Sequence, residues 1–343
     1  MSVTCTRHFM VYDKLHRHGN YTILVLLYVD DLIITGTHDH LLSRLIRRLS
    51  SEFDMKDLGA LNFFLGMQVV RNHDSLILSQ TQYALTLLHR FGLSGVKPIK
   101  SPLEVKLQLS SSAPDPLPDP TIYRQMVGSL QYLTMTRPDL TYAVNHVCQF
   151  MQKPCSSHLA AVKRIFRYVK GTLSLGLIFS KDASLQIRAF LDADWAGCPD
   201  SRHSTTGYAV FLGQNLLSWG SKKQSTVSRS SAEAEYRALA STTTEVLWFL
   251  HMLRFLRFHL SNPPLILCDN ISAIYMSKNP VFHSRTKHFD IDVHFIRAHV
   301  LRGAITLSHL PGKVQVADVF TKSLPSPLFL WLWDKLSLRD NPS

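Results

Sequence analysis

Four acidic residues spread over the last half of the chain, Asp192, Glu235, Asp269 and Asp318, have the types and settings that phosphodiester hydrolysis calls for. That reaction needs charge neutralisation on the attacking and leaving oxygens, which two divalent metals about 4 Å apart provide where several carboxylates converge. Magnesium favours such oxygen ligands. Asp192 directly follows an apolar run ending at Leu191, and Asp269 follows Leu265 to Cys268 in the same way, so both carboxylates fall at strand ends. If those strands are parallel neighbours, the acids meet there, because open α/β sheets bind ligands beyond the carboxyl ends of their strands.

A helix beginning at Ser231 carries two glutamates with different expected jobs. Ser230-Ser231-Ala232-Glu233 matches a capping box, which makes Glu233 structural. Glu235 shares a face with Ala232 and Leu239, the apolar side, where a carboxylate is costly unless paired or metal-bound. Asp318, after the Pro311-Gly312 turn, completes the set, and His309 at the preceding strand end is free to shuttle protons or help product leave. Taken singly, each aspartate reads as a turn former or a surface charge. Asp194 is left outside the set, on the expectation that its carboxylate turns to the opposite side.

The elements that must hold these residues follow from periodicity. From Gln186 the sequence reads as a strand to Leu191, a hairpin through Thr206–Leu212 and Leu216–Trp219, and a helix from Ser231 to about Leu256. A strand Leu265–Cys268, a mixed basic segment, a strand Ile305–His309 and a final helix near Gln315–Thr321 complete it. That order suggests one mixed sheet covered by helices, an α/β domain. Upstream, Tyr21 to Thr35 reads as a β-hairpin with Asp30-Asp31 at its tip, followed by a helix from about His40 to Glu52, an apolar segment Leu61–Val70 and a strand near Leu76–Leu78. The stretch "SSSAPDPLPDP" at 110–120 cannot pack a core and reads as a linker. Two helices follow it, Tyr123–Thr134 and His158–Lys170, the second with Lys163, Arg167 and Lys170 on one face, as suits either a phosphate track or a solvated surface.

With 343 residues, 45% of them apolar, the chain is long enough to bury two ordinary cores. Its net charge of +12 favours a polyanionic partner, of which nucleic acid is the simplest. The five cysteines form no Cys-x-x-Cys pair, which argues against a zinc ribbon and fits a reducing compartment. The most apolar stretch, Tyr21–Val29, is about half of what a membrane span needs. The first ten residues lack a secretory pattern, leaving a cytoplasmic or nuclear location as the expectation.

Together, "LDADWAGCPDSRHSTTGYAVFLG", "LLSWGSKKQSTVSRSSAEAEYRALA", "LCDNISAI", "RTKHFDIDVHFIR" and "HLPGKVQVADVFTKSLP" resemble the ribonuclease H domain of copia-type retrotransposon Pol polyproteins over Leu191 to Pro325. The resemblance implies metal-binding acids at Asp192, Glu235, Asp269 and Asp318 and a mobile histidine at His309. It also implies two Mg2+ ions, with Mn2+ as a substitute, and an RNA:DNA hybrid as substrate. Lys222, Lys223, Arg285 and Lys287 are the candidate phosphate contacts. The preceding part is similar to the back half of the same family's reverse transcriptase: Tyr28-Val29-Asp30-Asp31 resembles its paired metal-binding aspartates, with "MKDLGALNFFLGMQV" and "YRQMVGSLQYLTMTRPDLTYAV" alongside.

The resulting expectation is a truncated reverse transcriptase palm, α+β, over residues 1–109 and a linker with a helical thumb or connection region over 110–185. A ribonuclease H domain with a mixed five-stranded sheet and flanking helices then spans 186–325, and a tail spans 326–343. Since a family polymerase uses a further aspartate upstream of the hairpin, polymerisation by this chain alone is not expected. The competing readings are a catalytically silent nucleic-acid-binding remnant and an integrase-type nuclease. The latter fits less well with a glutamate on the first long helix.

Overall fold

The computed structural model describes residues 5–6, 9–10, 21–181, 184–278 and 289–340. They divide into two compact units, Met1–Val69 and Val70–Ser343, a parting that falls well before the sequence-drawn boundary after residue 109.

In the first unit, strands β1 (Cys5–Thr6), β2 (Phe9–Met10), β3 (Ile23–Tyr28) and β4 (Asp31–Gly36) form an antiparallel sheet in that order. Register from Ile23↔Gly36 to Tyr28↔Asp31 forms the expected hairpin but leaves Val29-Asp30 as its two-residue turn, one residue earlier than the Asp30-Asp31 tip read from the sequence, with Asp31 starting β4. Val29 takes φ 51°, a left-handed conformation that crowds a β-branched side chain. Helix α1 (Asp39–Glu52) follows, then β5 (Phe63–Phe64) and β6 (Met67–Arg71), which pair as a hairpin and carry the chain across the division.

The second unit is built around a five-stranded mixed sheet. Its strands are β9 (Ile187–Asp194), β10 (Thr205–Leu212), β11 (Asn215–Lys223), β12 (Leu265–Cys268) and β13 (Thr306–His309), in the spatial order β11-β10-β9-β12-β13. The first three are antiparallel, and β12 runs parallel to both β9 and β13. Because strand residues alternate between faces, Ile187, Ala189 and Leu191 meet one apolar layer. That layer is completed by α6 (Ser231–Phe255), α7 (Ile271–Lys278) and α8 (Asp290–Leu301). Ala209, Phe211 and Leu216 meet the other layer, with α2 (Thr81–Arg90), α3 (Thr121–Leu133), α4 (Thr141–Cys148), α5 (Ser156–Lys170), a 3-10 helix Val316–Phe320 and α9 (Ser326–Trp333). Strands β7 (Ser75–Ser79) and β8 (Leu175–Ser180) pair antiparallel, and β14 (Leu338–Asp340) joins β8.

The structure adds detail to four sequence expectations. The mixed basic segment contains α7 and α8, whose Val293 and Ile296 are buried. The final helix near Gln315–Thr321 is a 3-10 helix, Val316–Phe320. Of the expected tail, 326–343, the described residues 326–340 are packed, since Phe329, Leu332, Leu336 and Leu338 are buried in the core. The linker is pinned at its start, where Asp200 accepts hydrogen bonds from Ser111 N and Ser111 Oγ at 2.7 Å each. The stripe on α5 is likewise engaged by the protein: Arg167 donates to the Lys97 carbonyl at 2.9 Å and Lys170 to that of Ser94. Among the described residues, no helix is long and apolar enough to cross a membrane.

Candidate active site

Parallel pairing of β9 and β12 aligns Phe190 with Leu267, so two further residues along each strand bring Asp192 level with Asp269. The meeting of these two acids at one sheet end is thus a matter of register. Asp192 lies on the face of Phe190, the side that the 3-10 helix Val316–Phe320 covers, and that helix carries Asp318. Gly207, opposite Asp192 in register, permits the approach. A Cβ there would lie 2.6 Å from Thr321 Cγ2, 2.8 Å from Phe320 Cβ and 3.0 Å from the Ala317 carbonyl oxygen.

Glu235 arrives from the other face, one turn into α6. Ser230 caps this helix by accepting from Glu233 N at 3.2 Å, while Glu233 accepts from Arg229 N at 2.9 Å and pairs with Arg237. Glu233 is therefore structural, as its spacing suggests, although the return bond goes to Arg229 N, one residue before the cap. Glu235 is only 3% exposed. Its carboxylate, the Cys268 thiol and the Asp269 carboxylate each place one ligand atom within 4.8 Å of the others, and Cys268 Sγ donates to Glu235 Oε1 at 3.4 Å.

The other half of the cluster is organised by Lys322, whose Nζ lies 2.9 Å from Asp318 Oδ1 and 3.4 Å from Asp192 Oδ2. Thr321 also donates to Asp192 Oδ2. Burial, then the Asp192 and Asp269 charges, push the Glu235 carboxyl well above the usual range. Burial and Asp192 raise Asp269, with Glu235 and Lys322 opposing. Asp318 rises to about 7 through burial and the Asp192 charge, against the pull of Lys322. For Lys322 itself, burial disfavours the ammonium, but Asp192 and Asp318 together hold it above the lysine range. Crowded acids raised in this way, with one of them almost fully buried, form a donor set suited to hard divalent cations.

His309 is exposed at the end of β13, paired in register with Cys268 and so beside the same sheet end. Lys222 is exposed on β11. Lys223 is engaged instead, donating to Gln149 Oε1 at 3.2 Å and Cys198 Sγ at 3.0 Å. Arg285 and Lys287 lie outside the described residues. Asp30 and Asp31 are exposed at the β3–β4 turn of the first unit.

Sequence reasoning missed Lys322, Thr321 and Cys268 and misplaced Asp194. Residues two apart on a strand share a face, and β9 continues through Asp194, so Asp194 lies on the side of Asp192. Burial raises its carboxyl, and it interacts with both Lys322 and Asp192. The signal for Lys322 was present as an acid-to-lysine spacing of one helical turn from Asp318.

Residues 7–105 match the family model described as reverse transcriptase (RNA-dependent DNA polymerase). The chain is 46% identical to the retrovirus-related Pol polyprotein from transposon RE1 of Arabidopsis thaliana, over 95% of this chain and 22% of that protein. It is 38% identical to the corresponding polyprotein from transposon TNT 1-94 of Nicotiana tabacum, over 96% of this chain and 25% of that one. The chain thus spans about a quarter or less of the length of these relatives. Among solved structures, LC11-RNase H1 in complex with RNA/DNA hybrid overlays 40% of this chain and 94% of its own at 13% identity, with a TM-score of 0.29. So loose an overlay carries no argument.

Proposed function

As the chain belongs to the family of retrovirus-related Pol polyproteins of copia-type transposons, we propose that its second unit is a ribonuclease H that hydrolyses the RNA strand of an RNA:DNA hybrid. The observation that carries this reading is the convergence of Asp192, Glu235, Asp269 and Asp318, drawn from four separate elements, at the carboxyl end of two parallel strands. Held by these carboxylates, two Mg2+ ions, or Mn2+ in their place, would supply charge neutralisation on the attacking and leaving oxygens of the phosphodiester.

The chain's own residues do the rest. Parallel register fixes the spacing of Asp192 and Asp269, Gly207 admits the segment that carries Asp318, and the cap at Ser230 sets the angle at which Glu235 enters. His309, exposed beside the cluster, can take a proton from solvent and assist product departure. Lys222 is the better placed of the two β11 lysines to meet a phosphate, since the amine of Lys223 is already bonded within the protein. Recognition through backbone and 2′-hydroxyl contacts implies little base preference.

The test uses the full chain with a labelled hybrid, single-stranded RNA and DNA duplex in Mg2+. The expected result is cleavage confined to the RNA of the hybrid, lost in chelator and lowered about a hundredfold or more by Asp192→Asn. No cleavage by wild type, with Asp192→Asn behaving identically, supports instead the silent nucleic-acid-binding remnant; equal cleavage by both overturns the role of this acid cluster. Preference for duplex DNA supports the integrase-type reading.

A further inference from the structure

The acid cluster is unevenly neutralised. Lys322 bridges Asp192 and Asp318, whereas among the described residues no lysine, arginine or histidine forms an ion pair with Glu235 or Asp269. The contact with Asp318 is local, one helical turn away, and is accompanied by the Lys322 N to Asp318 O hydrogen bond at 3.3 Å. The contact with Asp192 is tertiary and joins the 3-10 segment to β9.

Exposure separates the fixed partners from the movable one. The side chains of Asp192 and Asp318 are 7% and 16% exposed, and that of Lys322 is 41% exposed, on a flexible stem with water within reach. A divalent ion held by Asp192 and Asp318 would compete with the Lys322 ammonium that already bridges these two carboxylates, since like charges at such range repel strongly in a partly buried setting.

We propose that Lys322 is a displaceable resident cation, which holds Asp192 and Asp318 together in the metal-free protein and weakens, by competition, the binding of the divalent ion those two residues share. The proposal rests on the metal-centre reading above. It makes the two ion positions unequal: the one nearer Glu235 and Asp269 fills first, and the one at Asp318 fills only as Lys322 swings out. Lys322 is accordingly a positioning residue that sets metal affinity.

The test is Mn2+ binding to the full chain, by calorimetry and by electron paramagnetic resonance, for wild type, Lys322→Met, Lys322→Arg and Asp192→Asn. Expected are a tighter and a weaker binding event in wild type, both diminished in Asp192→Asn. The weaker event strengthens about tenfold in Lys322→Met, since one competing charge is removed, and returns to the wild-type value in Lys322→Arg. If Lys322→Met does not fold, Lys322→Gln is read in the same way. Binding by the neutral variant no tighter than wild type, with the wild-type events still sensitive to Asp192→Asn, overturns the role of Lys322 and leaves the centre standing. Absence of wild-type binding, or insensitivity to Asp192→Asn, overturns the centre and this proposal with it.

Discussion

The two units each carry paired acids at the end of strands, and they do so in opposite ways. Asp30 and Asp31 stand exposed on one hairpin whose residues are contiguous, and the whole arrangement is set by the β3–β4 register and a two-residue turn. The acids of the second unit come from β9, α6, the end of β12 and a 3-10 segment, and two of them, Asp192 and Glu235, are 5% and 3% exposed. The difference teaches that an exposed acidic turn needs only local geometry. A buried carboxylate cluster must instead be assembled by the entire fold and requires cations in recompense for lost hydration.

The largest expected effect breaks the comparison at the acids themselves. Glu235→Gln is expected to lower hybrid cleavage about a hundredfold or more, while Asp31→Asn in the hairpin leaves that rate unchanged. Matching losses in both variants, measured in one cleavage assay, would mean that the two regions do not divide the chemistry as described.

Next in size is Gly207→Ala. Its methyl group would meet Phe320 Cβ and Thr321 Cγ2 below 3 Å, so the Asp318 segment must shift. Overpacking of this kind costs about 1–3 kcal/mol, to be read from urea unfolding, together with a fall in cleavage. A stable variant with full activity would show that the segment reaches Asp192 without needing a glycine opposite it.

The smallest effect is a pH dependence. In chelator, Asp318 is raised from 3.8 to about 7, and Asp269 and Glu235 move in the same direction. A carboxyl raised in the folded state binds its proton more tightly there than in the unfolded chain. Its contribution to stability is therefore fully present below the unfolded value of 3.8 and is lost as pH rises through about 7. Calorimetric melting in chelator should give a falling melting temperature across that window, and Mg2+ should flatten the fall. A melting temperature that climbs with pH there would contradict the repulsion among these acids.

How much of this was legible in the sequence follows the same division. The hairpin at Asp30-Asp31, the strand Leu265–Cys268 and the cap at Ser230 could be read because each is decided by neighbours along the chain. Asp192, Asp269 and Glu235 could be named because strand ends and a helix face fix where they point, and Asp318 by its place after the Pro311-Gly312 turn. Lys322 escaped because its reach to Asp192 crosses from residue 322 to 192, a contact that no local pattern specifies. The bounds of helix α8 escaped because its polar residues Asp290, Asp292 and His294 obscure the buried Val293 and Ile296. Residues 326–343 were read as a tail because β14 gains its place only by pairing with β8, more than a hundred residues upstream.

Anomalous scattering from crystals of the full chain soaked in Mn2+ locates the cations against the acid cluster itself. Mn2+ signal is expected among the carboxylates of Asp192, Glu235, Asp269 and Asp318. Signal found only elsewhere, in crystals whose dissolved protein still cleaves hybrids, would contradict it.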